Sequence, residues 1–549
     1  MKMKLITGCL LLASAVSFAQ QVQVTKGPNL ANDKKNTMNR MLGGDDNNFY
    51  CYRVRSKGKG TSFYVEKYDK ASLKPLFSQE VNVDEEGKTK IEDVEYAKGN
   101  VFVFRRQYDK KADKMTLFFQ VVGSDGKVDP QLKEIITIGS DHFEFVDFDI
   151  YPNPSQTKFL IKAAHKANKE DTYKTELILM DAGTQKKLWT KTLNQNLSNA
   201  TSFWGAIGAR FSAMFTDNSG FSAGFSGMYL DDKDNVYYSY TEKVKSDNKE
   251  ESGFFLKLGV VAAADNSAKI IDLNFDDKYY VKDLQFMKSK DNEIVVGGFL
   301  KDVIERKGRD LVKVGIFSFT INLKTNTVAA KTTKFFDAKM LEALESNPKR
   351  SRYFKYKMDY ILPVGDAVYY IGEQFSEQYV SSKSSTGGSS SSYWAYEYMD
   401  VIIAKLNSKG EFEWVQNVPL RNVMRMSFQH VFKQYIAVAT PKSIYILCDD
   451  NAKNLAIYNA ATYVPKKLKP VSGIHKSNFV FNAVSLGNGA ITRGLIFKNE
   501  DYCFAPIQER NPQFIPPSEC EIFVPSKNNE LFIYTENKGL DRFVKLKLD

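Results

Sequence analysis

One pattern recurs along this chain and restricts its fold more than any other feature: an apolar run of period two, a bend carrying Asp, Asn or Gly, and a second run of period two. Asp93-Val94-Glu95-Tyr96 passes through Lys98-Gly99-Asn100 into Val101-Phe102-Val103-Phe104. The shape returns at Gly227–Leu230 before Val236-Tyr237-Tyr238, and at Leu284–Met287 before Ile294-Val295-Val296. It returns again at Met358–Ile361 before Val368–Tyr370, and at Glu521–Val524 before Leu531–Tyr534. Period two is the signature of strands, and Asn and Gly at the bends supply the positive φ that tight hairpins require.

A second hairpin follows the first within each unit. Leu177 to Trp189 and Val401 to Trp414 are the clearest copies, with weaker ones at Phe63 to Asn82, Leu117 to Val128 and Phe317 to Lys331. Two hairpins make a four-stranded antiparallel sheet, and units begin near residues 47, 91, 143, 225, 281, 357, 427 and 475. Sheets this apolar have two faces to bury, and stacking them around an axis buries both without long free edges. The expected fold is all-β: a single β-propeller of seven or eight four-stranded antiparallel blades with a short helical insertion. A six-bladed ring with one elaborated blade, or two smaller β domains, are the alternatives. The segment from Glu521 to Leu548 is expected to complete the first blade.

The N-terminus has the form of an export signal. Lys2 and Lys4 precede the apolar stretch Leu5 to Val16, and Ser17-Phe18-Ala19 is a small-x-small cleavage site before Gln20. Residues 1–19 are therefore expected to be a signal peptide and 20–46 a polar lead-in. Ile6-Thr7-Gly8-Cys9 resembles a lipobox, but Leu10, Leu11 and Leu12 follow the cysteine where the apolar region should already have ended. No later stretch is long enough to span a bilayer as a helix. The expected location is the periplasm or the outer membrane surface in preference to the medium. Cys51, Cys448, Cys503 and Cys520 then remain; Cys503 and Cys520 are near enough in sequence to pair in an oxidising compartment, and burial as small apolar residues is the alternative.

Motifs for chemistry mostly fail. The chain has 4 His, none in HExxH, so no metal or other cofactor is expected. Gly220-Phe221-Ser222-Ala223-Gly224 matches a nucleophile elbow without the α/β context that the mechanism needs. Gly87-Lys88-Thr89 lacks the rest of a P-loop. Tyr151-Pro152-Asn153-Pro154 resembles the start of a type IX secretion sorting domain, but stands mid-chain, where its prolines suit a rigid turn before Lys158. Carboxylates remain: Asp93, Glu95, Asp147, Asp149 and Asp359 lie on or near first strands of units, where propeller glycosidases place their acids.

Three insertions interrupt the rhythm: about 194–226, rich in Gly, Ala, Ser and Phe; 337–348, a short helix capped by Asp337; and 378–398. The last ends in Tyr393-Trp394-Ala395-Tyr396-Glu397-Tyr398, whose alternation puts Trp394, Tyr396 and Tyr398 on one side and Tyr393 on the other. This stripe is a candidate binding surface, with inter-blade packing as the plain alternative. Lys349, Arg350, Arg352, Lys355 and Lys357, interleaved with aromatics, form a basic cluster, of which Arg350 and Arg352 are candidate binding residues. Export points away from nucleic acid as the partner and towards an envelope protein or glycan; the oligomeric state stays open.

The strand-Asp-x-x-x-x-Lys-x-Leu-Trp shape of Asp181 to Trp189, with its partner ending at Trp414, resembles the repeats of quinoprotein-type propellers. The resemblance implies that Trp189 and Trp414 dock between blades. Tyr370-Ile371-Gly372-Glu373-Gln374, Asp400–Ile403 and Glu413-Trp414 are also similar to uncharacterised exported β-propellers of the Bacteroidetes. The expected function is non-catalytic binding or scaffolding, with a carbohydrate-active enzyme using funnel carboxylates as the alternative.

Overall fold

The computed structural model describes residues 22–31, 36–57, 60–81, 89–139, 146–166, 173–193, 227–244, 253–265, 268–275, 280–304, 311–337, 340, 354–382, 391–426, 432–454, 468–471, 477–498, 502–503, 507–508, 523–526, 529–537 and 540–549. It is an eight-bladed propeller. Blade 1 comprises Asn36–Gly44, Asn48–Lys57, Gly60–Asp69 and Pro75–Val81, hydrogen-bonded in that order. Blades 2 to 7 repeat the plan, with first strands at Thr89–Ala97, Asp147–Pro152, Gly227–Leu230, Tyr280–Lys290, Phe354–Val364 and Tyr435–Ala439. Blade 8 takes Phe523–Ser526, Glu530–Asn537 and Leu540–Leu548 from the C-terminus, and its outer strand, Val22–Lys26, from the N-terminus.

Three boundaries differ from expectation. The segment 20–46 is no lead-in: it holds the closing strand of blade 8 and the first strand of blade 1. The closing strand looked polar because it is an edge, with Val22 its one buried side chain. The C-terminal segment accordingly builds an eighth blade instead of completing the first. Residue 475 opens no new unit, because Ser477–Ser485 is the third strand of blade 7, separated from the second, Ser443–Asn451, by a long connection.

The strand order sorts connections by face. Links from first to second and from third to fourth strands emerge at one end of the ring, here the turn face. Links from second to third strands and between blades emerge at the other, the loop face. The described residues of the 378–398 insertion lie on the loop face. Turns on the turn face repeat a local device. Asp69, Asp181 and Asn322 end third strands and Asn407 follows one, and each side chain accepts an N–H two or three residues on, from Ser72, Thr184, Lys324 and Lys409 at 2.7–3.0 Å. Leu73, Gln185, Asn326 and Gly410 then take positive φ, and a bulge opens the fourth strand. In blades 1 and 3 the bulged residue is an exposed leucine, Leu76 or Leu188, on the outer edge.

The core is a ring of inter-blade layers. Separate apolar clusters lie between blades 1 and 2, 2 and 3, and so on to 6 and 7, and one larger cluster joins 7, 8 and 1. The closing seam also carries charge: Arg53 of blade 1 bonds Glu66 at 3.0 Å and reaches Asp541 of blade 8 at 3.3 Å, all three buried. Between blades 5 and 6 the fit is reciprocal. Tyr370 packs on Gly297, and Phe299 packs on Gly372, so each aromatic fills the space that the opposite blade leaves by lacking a side chain. Asp337 accepts the Met340 N–H at 2.7 Å, as a helix cap does, but the rest of that expected helix lies outside the described residues.

Candidate functional site

First strands line the axis, and the carboxylates expected there are engaged with cations or phenols. Asp93 and Glu95 of blade 2 converge on Arg40 of blade 1, at 3.2 and 2.9 Å, and Arg40 also donates to the Val94 carbonyl at 3.0 Å. Burial raises the Glu95 carboxyl above its usual range, and the guanidinium pulls the other way. Asp149 meets Lys162 across its strand pair at 2.5 Å, both buried. Asp359 accepts the Tyr435 hydroxyl of the next blade at 2.6 Å, and burial with that carboxylate holds the phenol far above its ordinary titration. The Asp147 side chain is outside the described residues. Among the described residues, no group of three or more His, Cys, Asp or Glu is placed to hold a metal.

Among the described residues, the longest strands are in blade 6. Its second and third strands, Ala367–Ser382 and Ser391–Leu406, continue well past their neighbours. The last partner of the first strand is Ser376, so Glu377 to Ser382 extend roughly 20 Å further at about 3.3 Å per residue. The fourth strand, Phe412–Val418, pairs only as far as Val401; beyond it the short strand Asn422–Met426 takes over the same edge, opposite Tyr398 to Trp394. The result is a three-stranded arm standing on the loop face.

The base of the arm is anchored to blade 7. Val471, returning from the long connection of that blade, donates to the Arg421 carbonyl at 3.0 Å and accepts from Val423 at 3.1 Å. Asn422 donates to Gln434 at 3.2 Å, and Arg421 grips Glu397 at 2.9 Å. Where the partner strand changes, Asp400 is buried and accepts hydrogen bonds from the Asn417 amide at 2.7 Å and the Leu420 N–H at 3.2 Å. Burial outweighs those bonds and pushes its carboxyl up to about 7.

The aromatic stripe divides on the arm. Tyr396 and Tyr398 are fully buried and pack with Phe375 in a small core of the arm itself, so they are structural and offer no face to a ligand. Sequence alternation placed them beside Trp394 correctly, but their burial depends on how the arm folds against its surroundings. Trp394 is half-buried and meets Tyr379 at 5.2 Å between ring centroids; Tyr379 is 42% exposed. On the opposite side Arg425, exposed, lies over the Tyr393 ring at 5.2 Å. Tyr379 and Arg425 were not singled out from sequence: each needs the register of a long-range strand pair to bring it beside Trp394 or Tyr393. Arg350 and Arg352 lie outside the described residues, as do Cys520, the side chain of Cys503, and Gly220 to Gly224. Cys51 and Cys448 are buried free thiols.

Other sequence features take structural places. Asn153 caps the blade 3 turn, its side-chain oxygen accepting from Thr157 and Lys158 at 2.8 and 2.9 Å. Trp189 packs between blades 3 and 4, and Trp414 between 6 and 7, against Tyr369 and the positive-φ Gly489.

No protein-family profile matches the sequence, and no curated protein sequence does. Similar solved structures include the Dos1 propeller, 11% identical with a TM-score of 0.38, covering 95% of this chain and 94% of its own. The β-propeller domain of the Trilobed protease from Pyrococcus furiosus is 8% identical with a TM-score of 0.34, covering 86% of this chain and 97% of its own. A polysaccharide lyase described as a PL25 ulvan lyase is 8% identical with a TM-score of 0.34, covering 94% and 95%. The eightfold arrangement stands on the sheets themselves, and none of these likenesses bears on activity.

Proposed function

We propose that this chain is an exported, non-catalytic propeller of the periplasm or outer membrane surface that binds or scaffolds an envelope protein or glycan through its loop face. The observation that carries the reading is the blade 6 arm: a projection well beyond the ring, with an exposed aromatic and an exposed arginine on it, is a large departure from a repeat that otherwise closes on itself. Exposed aromatic and arginine side chains are the usual anchors of recognition surfaces. The engaged axial carboxylates support the same reading, since a general acid or nucleophile must be free to meet substrate.

A carbohydrate-active enzyme is the second reading, favoured by Glu95, a buried axial carboxyl with a raised pKa beside Asp93. The deciding experiment compares wild type, Tyr379→Ser/Trp394→Ser and Glu95→Gln on a glycan array and in capture from envelope extracts. The binding reading expects the arm variant to lose a specific ligand with an unchanged denaturation midpoint. It fails if the arm variant binds as wild type does, or if wild type cleaves a glycan and Glu95→Gln does not.

A further inference from the structure

Formal charge is far from evenly spread along this chain. Between residues 414 and 499, from just after Glu413 in the outer strand of blade 6 to just past the end of blade 7, stand 11 Lys and Arg against 2 Asp; the rest of the chain carries 65 against 63. Both aspartates are withdrawn from the surface. Asp450 is buried against Arg493 at 2.5 Å and Asn454 at 2.8 Å. Asp449 is half-buried, and desolvation with its neighbour Asp450 pushes its carboxyl up to about 8, so it adds little negative charge at neutral pH.

Topology brings three exposed lysines of this stretch to one end, while Lys442, between the first and second strands of blade 7, is on the turn face. Lys453 follows the second strand of blade 7, Lys469 lies on the returning segment pinned by Asn454, and Lys498 follows the fourth strand, Ile491–Phe497; all three are exposed on the loop face. The outer part of the neighbouring arm carries Tyr379 and Trp394, on the side opposite Arg425. A basic floor thus meets an aromatic wall.

We infer that the corner between the blade 6 arm and blade 7 binds an anionic polysaccharide, its carboxylate or sulfate groups on Lys453, Lys469 and Lys498 and its sugar rings against Tyr379 and Trp394. The inference rests on the loop face being the binding face and adds the class of ligand. A flat anionic bilayer fits less well, because an arm reaching roughly 20 Å holds a planar surface off the lysines at its base. A flexible polymer chain can lie in the corner and meet floor and wall together.

The test uses the mature chain, titrated with dextran sulfate and polygalacturonate, with unsubstituted dextran, anionic vesicles and a single-stranded DNA oligomer as comparisons. Polyanionic glycan should bind, dextran alone should not, and affinity should fall about tenfold or more between about 0.05 and 0.2 M salt as counterions compete. Lys453→Gln/Lys469→Gln/Lys498→Gln should weaken binding about tenfold or more, while Lys98→Gln/Lys324→Gln/Lys409→Gln on the turn face should change it less than about twofold. Equal losses in the two triple variants, equal affinity for dextran, or tighter binding of DNA or vesicles would each overturn the inference. If the lysine variants leave polyanion binding untouched while Tyr379→Ser/Trp394→Ser abolishes capture of a neutral glycan or a protein, this inference falls and the broader binding reading stands.

Discussion

Replacing Gly372 by alanine tests whether the ring is held by blade-to-blade fit. A Cβ at this position would lie 2.3 Å from the Lys357 carbonyl oxygen and 2.4 Å from Cε2 of Phe299. Neither neighbour yields easily. The carbonyl belongs to the first strand, whose residue Lys357 pairs with Glu373, and Phe299 is 1% exposed in the blade 5–6 core. Overpacking in such a site costs about 1–3 kcal/mol, and the rigid carbonyl puts the expectation at the upper end, about 3 kcal/mol. Phe299→Ala removes the ring and leaves a cavity, at about 3–5 kcal/mol. In the double variant the new methyl enters part of that cavity, so the combined loss should fall short of the sum by about 1–2 kcal/mol. Denaturant unfolding followed by tryptophan fluorescence reads all three, Trp414 reporting from blade 6. A cost below about 0.5 kcal/mol for Gly372→Ala, or strict additivity in the double variant, would refute the reciprocal fit.

Further outcomes follow from the seam, the edge strand and the arm. Arg53→Met removes the buried cation that joins Glu66 of blade 1 to Asp541 of blade 8 and should cost about 3–5 kcal/mol, part of it recovered in Arg53→Met/Glu66→Gln/Asp541→Asn; equal stability of the two variants counts against a closing role. Removing residues 20–31 exposes Leu540–Leu548 as a bare edge, so size-exclusion chromatography should show association that the intact chain lacks; a well-behaved monomer would mean that the ring does not need its N-terminal strand. Asp400 has its folded pKa raised above the unfolded value, so the folded chain holds this proton longer. Its contribution is full below about 4 and declines as pH rises to about 7, by at most about 1.4 kcal/mol per unit. Denaturation at several pH values should show that slope in wild type and its loss in Asp400→Asn; identical pH profiles would mean that Asp400 does not titrate there.

The hairpins were legible because each rests on neighbours in sequence. Lys98-Gly99 and the Asp181 turn are local geometry, and Val101 to Phe104 announces a strand buried on both sides wherever it is placed. Trp189 and Trp414 were legible for the same reason, since their position relative to a turn recurs. The closing strand was not: Val22-Gln23-Val24-Thr25-Lys26 becomes a strand because Leu540–Leu548 offers it an edge, some 520 residues away in the chain. Tyr396 and Tyr398 show the same limit within the candidate site. Alternation told which side of a strand they occupy, but their burial follows from packing that no local pattern encodes.

What the chain determined by itself is therefore the repeat, its turns and the need to bury two faces of every sheet, all of them set by interactions between residues close in sequence. Only the tertiary structure decided that there are eight blades, that N- and C-terminal strands share the last one, and that an arm rises beside the most basic stretch. Those outcomes depend on which distant edges and faces meet, and the free energy of such meetings belongs to pairs of surfaces and to no single segment.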